Sequence, residues 1–219
     1  MAASRSTSIK AQQPDKPTAP KRAYLPAHER RRLIIEAAQQ VFARSNLQGA
    51  RTRDIAEAAE VNQATLFEHF ESKEALFHEA VVLPLVDAMR GMHARAQAYE
   101  AAHSFEEMQT IAQASAQRNL ESMTDIFPLL TAALFSDLEL GKKLYVEQIL
   151  PILRQRAEAL QGVIKDELDP EFVELSLFGM LFALAMDQTL RGRRKDPRKT
   201  ARQITKFAMT GFAKQPDGD

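Results

Sequence analysis

Over residues 27–45 the apolar positions Leu33, Ala37, Ala38, Val41 and Phe42 return at three- and four-residue spacing, which sets them on one face of a helix. After Gly49 the same period breaks into shorter runs. Three short helices are predicted, over about 52–59, about 62–70 and from 72 onward. Each opens on a residue, Thr52, Asn62 or Ser72, whose side-chain oxygen can accept from the free amides of the first turn, worth about 1 kcal/mol. Beyond Leu83 the chain reads as long helices almost to its end. Ser104 with Glu107 has the spacing of a reciprocal cap, and Asp169 and Asp196 each stand before a proline at a first helical position. No stretch alternates apolar and polar residues as a strand would, so the predicted fold class is all-α: an N-terminal three-helix unit followed by a helical bundle.

The most informative stretch is TRDIAEAAEVNQATLFEHF, residues 52–70, in which Ile55, Ala56, Ala59, Val61, Leu66 and Phe70 are apolar between polar neighbours. Two short helices joined by a tight turn need a small residue such as Ala56 where their backbones cross, and larger ones to lock the crossing. Val61 then plugs the turn, while Leu66 and Phe70 bury the inner side of the second helix against the first helix of the unit. The opposite side, with Gln63, Ala64, Phe67 and the neighbouring His69, is left bare near the helix start, where a recognition helix meets base edges in a major groove.

Taken in order, these residues resemble the TetR family of bacterial regulators. The family pattern of Thr, Ile-Ala, a short turn, Thr-Leu-aromatic, His-Phe and Ser-Lys-Glu-x-Leu is met by Thr52, Ile55-Ala56, Val61, Thr65-Leu66-Phe67, His69-Phe70 and Ser72-Lys73-Glu74-Ala75-Leu76. The resemblance covers about fifty residues, and the helical remainder agrees in length and class. It implies that Thr52, Thr65, Phe67, His69 and Lys73 position phosphates, and that Asn62, Gln63 and Ala64 stand where bases are read or further backbone contacts are made. Lys73 would add a cation beside the amides of a helix start. Gln63 could contact adenine through both ends of its amide, at about 1–3 kcal/mol of discrimination. Two departures carry expectations of their own. Glu60 stands where the family usually has glycine, and a left-handed non-glycine residue costs about 1–2 kcal/mol. Phe67 replaces the commoner tyrosine and removes a hydroxyl donor to phosphate.

Charge changes the picture only by its distribution. The formal net charge is +0, yet residues 1–54 carry eleven Lys or Arg against Asp15, Glu29, Glu36 and Asp54, so one end of the chain is suited to an anion. Residues 1–25, rich in Ser, Thr, Gln, Pro and Lys, are expected to be a solvated tail, as are 215–219. Residues 26–72 are assigned to the helix-turn-helix unit and 73–214 to a body for sensing and dimerisation. The absence of cysteine removes disulfides, thiolate metal sites and cysteine nucleophiles. His78-Glu79 begins like a zinc-protease motif, but Val82 stands where the second histidine must be. No P-loop, dinucleotide-binding glycine pattern or nucleophile elbow occurs, so no enzyme activity and no cofactor are expected. No apolar leader and no uninterrupted apolar span is seen, and a cytoplasmic protein with no membrane partner is the expectation.

Between Asp169 and Leu190 nearly the whole helix surface is apolar, so this helix is either central to the body or meets a second subunit. By the resemblance, helices 170–190 and 197–212 pair with their copies in a homodimer. A two-fold reader of double-stranded DNA also needs two half-sites, hence a palindromic operator. Met123, Ile126, Phe127, Leu130, Leu134 and Phe135 are either core or the lining of a pocket for a small hydrophobic effector, and the run Arg191-Gly192-Arg193-Arg194-Lys195 is expected to be a solvated loop. A ligand-responsive repressor is the functional expectation. The alternative is a helical scaffold whose similar segment contacts another protein without binding DNA.

Overall fold

The computed structural model describes residues 25–98 and 102–213, and the expected tails at 1–25 and 215–219 lie outside them except for Leu25. Among the described residues the only extended pairing is a single antiparallel bridge between Ile164 and Ala213. Helix α1 (Ala27–Gly49) is interrupted at Asn46, whose φ of 52° breaks the regular course one residue after the stop expected at Ser45. The Asn46 side chain accepts the amides of Gln48 and Gly49, each at 3.0 Å, and so restarts a single turn that buries Leu47. Helices α2 (Thr52–Ala58), α3 (Gln63–His69) and α4 (Lys73–Phe77) follow. Asn62 caps α3 by accepting from the Thr65 amide at 2.7 Å, and Ser72 caps α4 by accepting from Ala75 at 3.0 Å. Thr52 is not a cap. Arg51, extended at φ −106° and ψ 136°, precedes the helix, so Thr52 lies one residue inside it and its hydroxyl accepts from Gln63 Nε2 at 3.2 Å instead.

From α4 the chain runs through a wide π turn, His78–Val82, into α5 (Leu83–Gln97). The bundle continues with the 31-residue α6 (Phe105–Phe135), then α7 (Leu138–Leu144), a second π turn, Tyr145–Ile149, and α8 (Leu150–Leu160). Each π turn is followed two residues later by a proline, Pro84 or Pro151. A proline cannot bond the carbonyl four residues back, and a turn closed five residues apart, as from the Leu83 amide to the His78 carbonyl, moves the register past the gap. Between α6 and α7 the backbones approach so closely that a Cβ on Gly141 would lie 2.1 Å from the Leu134 carbonyl oxygen, a position only glycine fills. Helices α9 (Pro170–Arg191) and α10 (Pro197–Gly211) start on the expected caps. Asp169 accepts from Glu171 at 3.0 Å, and Asp196 from Arg198 at 2.9 Å. Ser104 likewise caps α6.

One continuous core runs from Ile34 and Phe42 of α1 through Leu66, Leu76 and Met89 to Met123 and Leu130 of α6 and Leu181 of α9. The edge-to-face contact of Phe42 with Phe77, at 5.0 Å, locks α1 to α4. The expected change of role at residue 72 therefore coincides with no gap in the packing. Met123, Ile126, Phe127 and Leu130 are plain core, Leu134 is half-buried and Phe135 is exposed. None of the six lines the best-formed cavity. That cavity, of about 90 Å³, lies between α6, α8, α9 and α10, where Leu160, Ile164, Leu177, Leu181, Met209 and Phe212 surround Asn119, Arg156, Glu174 and Thr205.

Helix α9 divides cleanly between its two expected environments. Val173, Glu174, Leu181, Ala185 and Gln188 face inward, whereas Phe172, Leu175, Gly179, Ala183, Met186 and Leu190 form an exposed stripe. By length and a mean hydropathy of 1.3 this helix could cross a bilayer, but it packs on α6 and α8 and carries the buried ion pair Arg156–Glu174. The basic run after it is exposed, with Gly192 left-handed at φ 62°, Arg194 on Asp125 at 2.9 Å and Lys195 on Asp187 at 3.1 Å.

Candidate nucleic-acid interface

The geometry of α3 follows from its alternation of sides. Leu66 and Phe70 are buried against the core, while Asn62, Gln63, Ala64, Phe67 and Glu68 are exposed, Phe67 at 48%. A phenylalanine held half in water has no packing reason to be there. It stands on the side that Gln63 and Ala64 share, one turn away, and offers an apolar surface of the kind that meets a thymine methyl or a sugar. Thr65 and His69 are half-buried at the margins of this side. Asn62 is engaged as the cap, so its amide nitrogen is the end free to donate outward. Gln63 donates through Nε2 to the Thr52 hydroxyl across the turn, a contact that orients its amide. Lys73, half-buried, donates to the Ala50 carbonyl at 3.3 Å and ties α4 to the end of α1 with one of its three protons.

Sequence reasoning did not single out Arg51, Arg53 and Arg44, all exposed; Arg53 lies on the same shallow groove as Asn62 and Gln63. The adjacency of Arg51 and Arg53 to Thr52 was the available signal. These cations carry weight because residues 25–80 hold seven Lys or Arg against nine Asp or Glu. Two of the acids are taken up in ion pairs within this segment. Glu79 takes Arg31, and Glu36 takes Arg32. Arg31 also lies over the Phe70 ring at 4.7 Å, so one guanidinium joins α1, the end of α3 and the π turn.

The turn between α2 and α3 has the strain expected of it. Glu60 sits at φ 55°, and the amides of Glu60 and Val61 return to the carbonyls of Glu57 and Ala56 at 3.1 and 2.9 Å, the paired bonds that end a helix on a left-handed residue. Glycine adopts this conformation without the Cβ penalty. Glu60→Gly is expected to raise stability by about 1 kcal/mol, read as a higher urea midpoint with an unchanged slope. A lower midpoint would show that the Glu60 side chain contributes more than its backbone costs. Among the described residues no three His, Asp or Glu converge to hold a metal.

A short helix with one side sealed and one side bare, set across a tight turn from a second helix, defines a helix-turn-helix protein. Residues 34–80 match the model of "Bacterial regulatory proteins, tetR family". No curated protein matches the chain significantly in sequence. Among solved structures, a protein described as a TetR-family transcriptional regulator from Mesorhizobium loti is 21% identical, covering 87% of this chain and 100% of its own, with a TM-score of 0.63. The fatty acid degradation regulator FadR of Bacillus halodurans is 19% identical over 90% of this chain and 98% of its own, with a TM-score of 0.63. FadR of Bacillus subtilis, solved with stearoyl-CoA, is 19% identical over 82% and 98%, with a TM-score of 0.59. Residues 34–80 thus carry the match to the tetR family, and the whole chain shares the all-α fold of solved structures described as transcriptional regulators.

Proposed function

We propose that this chain is a cytoplasmic, ligand-responsive repressor that binds a palindromic operator as a homodimer, with residues 26–72 as the reader and 73–214 as the sensing and dimerising body. The observation that carries the reading is the bare side of α3, with Gln63, Ala64 and Phe67 outward while Leu66 and Phe70 are buried. Thr52, Thr65, His69 and Lys73, together with Arg51 and Arg53, surround it as phosphate-positioning groups, and Asn62 and Gln63 are its base-reading donors. The partner on the α9 stripe is a second copy of the chain. Phe172, Leu175, Met186 and Leu190 are exposed at 64%, 53%, 39% and 77%. The stripe is interrupted by Ser176, Gly179 and Ala183, small residues that let two such helices approach closely. An effector bound in the body shifts the population between two spacings of the reading heads, and so changes operator affinity.

Operator selection from a random DNA pool, followed by titration in fluorescence anisotropy, tests the reader. The affinity is expected to fall by orders of magnitude between roughly 50 and 200 mM salt. Gln63→Ala should weaken the selected operator by about 1–3 kcal/mol and leave random DNA unaffected. Salt-insensitive or absent binding, or a Gln63→Ala variant with unaltered selectivity, would refute the assignment.

A further inference from the structure

The cavity between α6, α8, α9 and α10 contains polar groups that the protein itself leaves unmet. Arg156 and Glu174 are 5% and 2% exposed, and the guanidinium donates through Nε and Nη2 to the two carboxylate oxygens at 2.5 and 3.4 Å. The remaining Nη1 is buried without a partner, and so is the hydroxyl of Thr205, a residue 3% exposed. Buried donors without acceptors are costly, so each calls for an explanation. Thr205 is the more telling of the two. Thr110, Thr124, Thr131, Thr200 and Thr210 all donate to the carbonyl four residues earlier in their helices. Thr205, equally helical, does not. Asn119 adds a third group, because its Oδ1 is taken by Arg95 Nε at 2.6 Å and only its amide NH₂ end remains to donate.

All three groups can donate, which selects an accepting ligand. The charges select its sign. Arg118 and Arg156 both stand near enough to Arg95 for the cations to disfavour one another, and Glu174 is the only carboxylate among the described residues that forms an ion pair with any of the three. A negatively charged ligand reduces that excess of positive charge.

We propose that the cavity binds a small monocarboxylic acid, with the carboxylate held by Arg156 Nη1, the Thr205 hydroxyl and the Asn119 amide, and the apolar body against Leu177, Leu181, Met209 and Phe212. The space of about 90 Å³ suits a compact acid, and Arg156 is the one cation in its wall among the described residues, too few for the phosphates of an acyl-coenzyme A. The unbranched Met108 and Met209 side chains of the wall can yield to a longer chain. The inference rests on the effector reading above and gives it a chemical class.

The test titrates the full chain, by calorimetry and thermal shift, with hexanoate, benzoate, their primary amides and hexylamine at up to millimolar concentration. Both acids are expected to bind, the amides about tenfold or more weaker, and the amine not at all. Thr205→Val keeps the shape and removes an unmet hydroxyl. It should fold with a Tm at or above that of the wild type and weaken both acids by about tenfold. Equal binding of acid and amide, no acid binding, or undiminished acid affinity in Thr205→Val overturns the proposal. Repeating the titrations with operator DNA separates the two readings. Acids that bind without altering operator affinity uphold the carboxylate site and refute the effector reading, whereas an operator response to a neutral apolar compound and to no acid does the reverse.

Discussion

Gly179→Arg is expected to convert the protein to a folded monomer that has lost operator binding. The position lies midway along the exposed stripe of α9, and a Cβ there meets nothing within 4 Å, so the protomer has room for any side chain. Replacing a mid-helix glycine also removes about 1 kcal/mol of helix penalty, so the isolated protomer should unfold at a slightly higher temperature. Between two copies the same arginine would bury an unpaired charge at the closest approach of the helices, a cost that no neighbouring acid offsets. Light scattering should then give the protomer mass. Operator affinity should drop by roughly 10²–10⁴, because each half-site is engaged alone and the gain from linking them is lost. Ala114→Arg, on the exposed side of α6, is the control that should change neither quantity. A Gly179→Arg protein that remains dimeric would show that the stripe is not the contact surface.

The second large effect concerns the buried ion pair. Arg156→Met leaves the Glu174 carboxylate in the core without a counter-charge, at an expected cost of about 3–5 kcal/mol. Burial already pushes this carboxyl above its ordinary value of 4.5, with Arg156 opposing the shift. Without the arginine the folded-state value rises further. A carboxyl whose folded value lies above the unfolded one favours folding when protonated, so the deficit of the variant should shrink below about pH 4.5 and widen as the pH rises through the folded value. The double variant Arg156→Met/Glu174→Met removes both charges and should recover most of the loss, since well-packed apolar residues commonly replace a buried pair at little cost. Urea melts of the two variants across pH decide the matter. An Arg156→Met midpoint equal to that of the wild type would mean that water reaches the pair.

What could be read from the sequence was what local chemistry dictates. Asn62, Ser72, Ser104, Asp169 and Asp196 act as caps because a short side-chain oxygen beside free amides needs no distant partner. The left-handed conformation of Glu60 was legible only through the resemblance, whose pattern usually has glycine at that position. Thr52 misled by a single residue. Its hydroxyl had two uses, and the bond from Gln63, eleven positions away, is a tertiary choice. The cavity could not be placed from the sequence for a similar reason. The periodicity of residues 123–135 suits core and pocket wall alike, and Met123, Ile126, Phe127 and Leu130 are core. The actual space opens beside Ala112, Ala116 and Asn119, and its wall is gathered from segments between Ala96 and Ala213. Arg156 and Glu174 gave no sign of their pairing, because each looks like an ordinary charge on a solvated helix until two helices bring them together.

The π turn at His78–Val82 fixes the angular phase of everything before it. A turn closed over five residues instead of four holds one residue more than a regular helix, and one residue corresponds to about 100° of rotation about the helix axis. The azimuth of α3 relative to the body therefore depends on a single surplus position just before Pro84. Shortening that turn by one residue would swing α3 by about 100° around the axis of α5 without altering any side chain on it.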